Sequence, residues 1–67
     1  MLLKGCVGEP SAIQYSTNDY DDRRVYMEGD EVVFTCIFDP ELTASAICDS
    51  SGTWINAVLD CPTRKHT

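Results

Sequence analysis

The 67-residue sequence contains no long hydrophobic segment. A helix that crosses a bilayer needs roughly 20 predominantly apolar residues, and no run in this chain approaches that length. Residues 1–4 are too few to form a signal peptide. We therefore expect no membrane insertion by this chain, and we expect the targeting signal to lie elsewhere in a longer parent protein.

Positive charge is also scarce. Five lysines and arginines stand against eleven aspartates and glutamates, which leaves a formal net charge of -6. Nucleic acids and heparin are bound by neutralising phosphate or sulfate groups, so the charge balance excludes them as expected partners. Four of the five cluster as Arg23-Arg24 and Arg64-Lys65, and we interpret them as solvated surface charge.

Histidine occurs once, as His66 in the polar tail after the last cysteine, where we expect it to be exposed. Nucleophilic catalysis needs a serine or cysteine beside an oriented base, and nothing in the tail would orient this imidazole. A catalytic pair of carboxylates needs a concave, partly dry pocket, for which so short a chain has little room. We predict that the protein is not an enzyme and has no cofactor.

Cysteines are present at four widely separated positions, Cys6, Cys36, Cys48 and Cys61, without a CxxC motif. A zinc site usually has its ligands in close pairs, whereas this spacing in a small acidic chain is typical of disulfides in secreted proteins. Closing each long loop stabilises a fold by about 3 to 4 kcal/mol, which matters in a chain too short for a large core. The spacing alone leaves all three possible pairings open.

Alternating residues predict a β-strand over residues 31–38. The run is rich in branched and aromatic side chains. It follows the turn signal Gly29-Asp30 and stops at Asp39-Pro40, because proline lacks the amide donor of a central strand. One face of this strand carries Val32, Phe34 and Cys36, and the other carries Val33, Thr35 and Ile37.

Other strands are predicted to be short. Residues 44–49 form a second strand, and a glycine turn at residues 50–53 leads into Trp54-Ile55 and then residues 58–61. Residues 12–15 and 25–27 each have the composition of a strand of three or four residues. Between them, residues 16–24 are polar, charged and without periodicity, which predicts an exposed loop. No segment predicts a helix.

An acidic cluster lies in that loop. Asp19, Asp21 and Asp22 are spaced like part of a calcium loop, since hard cations prefer several oxygen ligands. The glycine and distal glutamate of an EF-hand are missing, and Arg23-Arg24 follows directly. We favour a solvated acidic loop without a metal, with a calcium-binding module as an alternative.

Taken together, these residues resemble a sushi domain, also called a complement control protein module or short consensus repeat. The most specific part is Tyr-x-x-Gly-x-x-Val-x-Phe-x-Cys combined with Gly-x-Trp between the last two cysteines. The resemblance predicts a leader at residues 1–5, the domain at residues 6–61 and a linker stub at residues 62–67. The matching positions are Cys6, Pro10, Tyr26, Gly29, Val32, Phe34, Cys36, Leu42, Cys48, Gly52, Trp54 and Cys61.

The resemblance implies a small all-β, disulfide-rich fold, an elongated module of short antiparallel strands with the chain ends at opposite poles. It implies disulfides from Cys6 to Cys48 and from Cys36 to Cys61. Turns are expected at Gly29 and Gly52. Trp54 is expected at the centre of the core, which agrees with the economical use of a lone tryptophan in a small chain. The implied core residues are Tyr26, Val32, Phe34, Leu42 and Trp54.

In function, the resemblance implies an extracellular, non-enzymatic module that binds a protein partner within a larger receptor, adhesion or complement-like protein, flanked by other modules. A purely structural spacer between neighbouring domains is the alternative. Aromatic anchors beside mixed charges favour binding, which points to the loop formed by Tyr20, Asp21, Asp22, Arg23 and Arg24. Surface positions are also expected among Tyr15, Ile37, Phe38, Ile55 and Leu59.

Overall fold

The computed structural model describes residues 5–65, and within them all regular structure is β-strand. The predicted positions of residues 1–4 and of His66 lie outside the described part. The molecule measures 53 × 21 × 15 Å along its principal axes. The predicted small all-β fold is confirmed, with six strands: β1 (Gly5–Cys6), β2 (Ser16–Asn18), β3 (Tyr26–Met27), β4 (Glu31–Cys36), β5 (Thr43–Cys48) and β6 (Trp54–Ile55).

The strands form two antiparallel sheets. The larger sheet has the order β2-β4-β5-β6, and the smaller one pairs β1 with β3. In the larger sheet Phe34 lies opposite Ala44, and Cys48 lies opposite Trp54. In the smaller sheet Cys6 lies opposite Tyr26. The long strands β4 and β5 therefore form the centre of the fold, and the short strands are added at its margins.

Strand β4 follows the alternation predicted from the sequence. Val32, Phe34 and Cys36 are buried, while Glu31 and Val33 are exposed. The strand ends at Cys36, two residues earlier than predicted, before the turn at residues 39–42 in which the Leu42 amide donates to the Asp39 carbonyl. The hydrophobic period of two thus locates both the strand and its buried face.

Strand β5 and the following hairpin also occur where they were predicted. Residues 43–48 are extended, and the turn to β6 places Gly52 at φ 84°, a left-handed conformation that glycine adopts without strain. The carboxylate of Asp49 accepts hydrogen bonds from the backbone amides of Ser51 and Thr53, at 2.9 and 3.0 Å. Local turn chemistry therefore specifies this hairpin.

Three predictions of short elements are wrong. Residues 12–15 are not a strand; the strand lies at Ser16–Asn18, inside the segment predicted to be an exposed loop. Tyr15 interrupts the extended backbone with φ 61°, and β2 exists because it pairs with β4, with Thr17 opposite Thr35. Residues 58–61 form no strand. Polar or isolated segments carry little local signal, so tertiary pairing decides their conformation.

The core lies between the inner face of the larger sheet and the segments packed on it. Val32 and Phe34 are its centre, with 0% and 1% of their surface exposed. Tyr26 and Ala46 complete the buried cluster. The partly buried hydrophobic residues that pack against it are Ile13, Tyr20, Trp54, Ala57 and Leu59.

Two residues expected in the core occupy different positions. Leu42 is 40% exposed, because it ends the turn at residues 39–42 instead of pointing inward from a strand. Trp54 is half-buried at the border of the core, because its short strand β6 is an edge of the sheet. Its ring meets Tyr26 edge-on, with the ring centroids 5.3 Å apart. The aliphatic and phenyl groups of β4, and not the indole, form the centre.

Two disulfides join the margins of the fold. Cys6 is bonded to Cys48 and Cys36 to Cys61, with Cα separations of 5.9 and 5.3 Å. These are the pairs that the resemblance implies. The first links the two sheets, and the second links the end of β4 to the C-terminal segment. Such bonds persist in oxidising compartments. The described part of the chain contains no helical segment capable of crossing a bilayer.

Candidate functional site

The loop at residues 20–24, predicted to contact a partner, is tied to the core through Tyr26. The rings of Tyr20 and Tyr26 stack with centroids 5.2 Å apart and planes inclined by 14°. The guanidinium carbon of Arg24 lies 4.7 Å from the Tyr26 ring centroid, within the range of a cation–π contact. Arg24 also forms an ion pair with Asp30 at 3.4 Å. Tyr20 and Arg24 therefore have structural roles.

The backbone of the same loop is held in a turn. The Asp21 amide donates to the Tyr26 hydroxyl at 2.9 Å, and the Asp21 carboxylate accepts from the Arg23 amide at 2.9 Å. Asp22 and Arg23 point their side chains to solvent. A shallow depression of about 410 Å³ lies beside them, lined by Glu9, Tyr20, Asp21 and Asp22. Asp22 and Arg23 are the members of the predicted site whose side chains are most available to a partner.

Two of the three aspartates considered as calcium ligands, Asp19 and Asp21, accept hydrogen bonds from backbone amides. The Asp19 carboxylate accepts from the Val33 amide at 2.8 Å, and that of Asp21 is used within its own turn. Across residues 5–65, no three histidine, cysteine, aspartate or glutamate side chains come together in a way that would hold a metal ion. These carboxylates shape the loop and connect it to β4.

A different surface is formed by the side chains of the larger sheet that point away from the core. We call this surface the outer face. The strand register arranges it in three rows across the sheet. Asp19 joins it at the end of β2, since its amide donates to the Val33 carbonyl at 3.2 Å. The members of the outer face are Thr17, Asp19, Glu31, Val33, Thr35, Thr43, Ser45, Ile47 and Ile55.

Three aliphatic residues form the centre of the outer face. Ile47 lies directly opposite Ile55, and Val33 lies opposite Ser45, one row away from Ile47. Directly opposed side chains in an antiparallel sheet are about 5 Å apart, and diagonal neighbours remain within reach of long side chains. Val33, Ile47 and Ile55 therefore make one continuous apolar strip across β4, β5 and β6.

The strip is open to solvent. Val33, Ile47 and Ile55 are 37%, 39% and 55% exposed, although Val33 and Ile47 each lie between two buried neighbours. The segments that cover the sheet pack against the inner cluster around Phe34. With strands about 4.8 Å apart and alternate residues about 6.8 Å apart, the outer face extends roughly 14 Å in each direction between Cα atoms. The face covers about a few hundred Å², and its exposed apolar part is the strip of Val33, Ile47 and Ile55.

The charges on the outer face have one sign. Glu31 begins the row that contains Ile47 and Ile55, and Asp19 begins the row that contains Val33. None of the nine members is a lysine or arginine. Arg24 belongs to the opposite side, where it packs on the core residue Tyr26. The remaining members are threonines and a serine, which offer hydroxyl groups for hydrogen bonds.

A third exposed region lies at the end of the β4–β5 hairpin. An open groove of about 940 Å³ runs between this turn and the C-terminal segment, with Phe38, Leu42 and Pro62 in its walls. Tyr15 stands beside it, with its ring centroid 6.3 Å from that of Phe38. The rim carries charges of both signs, from Asp39, Glu41 and Asp60 and from Arg64 and Lys65.

Of the apolar residues expected at the surface, Tyr15, Ile37 and Ile55 are exposed, while Phe38 and Leu59 are half-buried. Sequence reasoning did not identify Val33 and Ile47 as members of a site. Their signal was present in the alternation, since each lies between residues that point into the core. Only the strand register shows that they adjoin Ile55.

Comparisons with protein-family models, with curated proteins and with solved structures found no match. The resemblance to sushi domains therefore rests on the residues named above.

Proposed function

We propose that this chain is a non-enzymatic, extracellular protein-binding module of the sushi type, and that it binds its partner through the outer face. Two disulfides in a 67-residue chain support an oxidising, extracellular location. The disulfide pairs and the burial of Tyr26, Val32 and Phe34 support the sushi assignment. The exposed position of Leu42 departs from it.

The observation that carries the proposal is the open apolar strip of Val33, Ile47 and Ile55. A sheet needs one apolar face to form a core, and the inner face already supplies it. The second apolar strip adds nothing to the core of this chain, and in water it has an unfavourable free energy of hydration of about 25 cal/mol per Å². Protein–protein interfaces commonly have such a centre with a polar rim. We infer that the strip is buried by another protein.

The chemistry of the chain supports binding over catalysis. All four cysteines are used in disulfides, which leaves no thiol as a nucleophile. Several carboxylates are used to hold the backbone, as Asp49 does in the β5–β6 turn and Asp19 beside β4. The parent protein would supply neighbouring modules on either side of this one.

The loop at residues 20–24 offers a second place for a partner, so the test separates the two surfaces. We would measure binding of the full chain to a panel of secreted proteins and receptor ectodomains by surface plasmon resonance. The face variant combines Val33→Thr, Ile47→Thr and Ile55→Thr, which keeps β-branched side chains in the strands. The loop variant combines Asp22→Ala and Arg23→Ala.

Val58→Thr is the matched control, because Val58 is 92% exposed and lies outside the outer face. For a partner found in the panel, the face variant is expected to raise the Kd at least tenfold, equivalent to about 1.4 kcal/mol. The loop variant and Val58→Thr are expected to bind like the wild type. Loss of binding in the loop variant alone would assign the site to residues 20–24. A wild-type chain that binds no member of the panel would favour the structural spacer.

A further inference from the structure

We infer that the partner of the outer face is a protein segment that presents apolar side chains next to lysine or arginine. This inference rests on the proposed function, since it names the chemistry of the partner for the same surface. Its basis is the position of two carboxylates, Asp19 and Glu31, at the margin of an otherwise apolar and hydroxyl-rich face.

The first step concerns desolvation. A partner that covers Val33 and Ile47 must also remove water from around Glu31, which lies directly opposite Ile47. Within residues 5–65, the one ion pair joins Arg24 to Asp30, so the Glu31 carboxylate has no cation of its own in the described chain. Removing water from an uncompensated carboxylate is unfavourable. A cation on the partner offsets that cost, whereas a neutral apolar surface leaves it in full.

Asp19 places a second negative charge beside Val33. Its carboxylate accepts one hydrogen bond from the Val33 amide at 2.8 Å, which holds the group at the margin of the face. A carboxylate has about four acceptor sites, so Asp19 keeps the capacity to bind an ammonium or guanidinium group. The two carboxylates belong to adjacent rows, so cations on alternate residues of an extended segment, about 6.8 Å apart, match the spacing of these rows.

A second copy of this chain does not fit the same surface. Each copy carries a formal net charge of -6, and a two-fold dimer through the outer face would bring the carboxylates of both copies to one interface. The face covers about a few hundred Å², whereas a stable interface buries about 800 Å² on each partner. Charge and area therefore both favour a small, cationic segment of a different protein.

The test uses synthetic peptides as probes and the full ¹⁵N-labelled chain as receptor. The first peptide has nine residues, with lysine at positions 3 and 5, isoleucine at positions 1, 7 and 9, and serine at the even positions, so that its two cations lie on alternate residues. In two further peptides glutamine or glutamate replaces lysine, and in a fourth serine replaces isoleucine. NMR titrations at low salt would record which backbone amides shift and the Kd for each peptide.

We expect the isoleucine–lysine peptide to shift the amides of Val33, Ile47 and Ile55. We expect the glutamine peptide to bind the same residues about five- to tenfold more weakly, and the glutamate peptide not to bind. Combining Asp19→Asn with Glu31→Gln should remove the advantage of the lysine peptide over the glutamine peptide. Combining Glu9→Gln with Asp22→Asn is the control for net charge, because it also removes two carboxylates and both residues line the depression beside Tyr20, outside the outer face.

The outcomes separate this inference from the proposed function. Equal affinity of the lysine and glutamine peptides for the outer face would leave the docking surface in place and overturn the cationic partner. Absence of shifts on the outer face with every peptide would overturn both. Shifts of similar size with the serine–lysine peptide, spread over the acidic surface, would show nonspecific charge attraction and overturn the inference as well.

Discussion

The indole N–H of Trp54 donates a hydrogen bond to the backbone carbonyl of Gly8, at 3.0 Å and across 46 positions of the sequence. This bond connects edge strand β6 to the segment that follows the first cysteine. Trp54 also contacts Tyr26 edge-on, with the ring centroids 5.3 Å apart. The side chain therefore connects strand β6 with the N-terminal segment and with Tyr26, although it is only half-buried.

Removing the Trp54 hydrogen bond should lower the free energy of unfolding less than removing the whole ring does. Trp54→Phe keeps the aromatic contact with Tyr26 and loses the bond to Gly8, so we expect the free energy of unfolding to fall by about 1 kcal/mol. Trp54→Ala loses both contacts, so we expect the free energy of unfolding to fall by about 3 kcal/mol, the lower end of the range for buried aromatics. Urea denaturation followed by circular dichroism would measure both. Equal losses in the two variants would mean that the ring contact contributes nothing.

The two disulfides should contribute unequally to stability. In the chain-entropy model, the bond across 42 positions, Cys6 to Cys48, contributes about 4 kcal/mol, and the bond across 25 positions, Cys36 to Cys61, contributes about 3.5 kcal/mol. Paired substitution to alanine, Cys6→Ala with Cys48→Ala or Cys36→Ala with Cys61→Ala, would remove one bond at a time. Thermal unfolding should show a lower Tm for both variants, with the larger decrease in the variant that lacks the Cys6–Cys48 bond. A wild-type Tm in either variant would contradict the role assigned to that bond.

Backbone strain at Tyr15 gives a prediction that does not depend on its ring. Its φ of 61° lies in the left-handed region, which asparagine tolerates and a β-branched residue does not. Tyr15→Asn and Tyr15→Val both lose the contact with Phe38, so they form a matched pair. We expect the asparagine variant to be more stable by about 1 kcal/mol, as measured by urea denaturation. A more stable valine variant would show that the left-handed conformation is not maintained.

Acid should weaken the β5–β6 turn through Asp49. The hydrogen bond from the Ser51 side chain, together with the backbone amides of Thr53 and Ser51, lowers the pKa of the Asp49 carboxyl from its ordinary value of 3.8. A lowered folded-state pKa means that the stabilisation is complete above the unfolded-state pKa and is lost as pH falls through the folded-state pKa. The free energy of unfolding should therefore decrease in acid.

Asp49→Asn isolates that contribution. The variant should be less stable than the wild type at pH 6, and the difference should narrow as the pH falls below about 4. Asp22→Asn is the control, because the Asp22 side chain is exposed and is not among those that hold the β5–β6 turn. Urea denaturation at a series of pH values would measure the difference. A gap between wild type and Asp49→Asn that stays constant with pH would rule out titration of Asp49 as its source.

The outer face should tolerate polar substitution in the isolated chain. Val33→Thr, Ile47→Thr and Ile55→Thr each change an exposed position, so we expect each to alter the free energy of unfolding by less than about 1 kcal/mol. Val32→Thr buries a hydroxyl group at a neighbouring position that is fully buried, so its free energy of unfolding should fall by at least about 2 kcal/mol. Urea denaturation would measure the free energy of unfolding of all four variants. A large loss at Ile47 would show that the strip belongs to the core of the fold.

Much of the fold could be predicted because its signals are local. The period of two in residues 31–36 located β4 and its buried face, and the glycine in residues 50–53 located the β5–β6 turn. The resemblance implied the disulfide pairs that the structure contains. Strand β2 could not be predicted in the same way, because Ser16 and Asn18 on either side of Thr17 are polar residues that do not favour strands, and the segment is extended through its pairing with β4.

The candidate site likewise has features that the sequence predicts and features that depend on tertiary structure. The loop at residues 20–24 was predicted to contact a partner because aromatic and charged residues are adjacent in sequence there. In the structure, the side chains of Tyr20 and Arg24 pack on the ring of Tyr26. The sequence by itself determined the small all-β class, the acidic charge and the alternation that left Val33 and Ile47 pointing outward. Only the tertiary structure decided that these two meet Ile55 beside Glu31 and Asp19, because the register between separate strands depends on the whole sheet and not on any single segment.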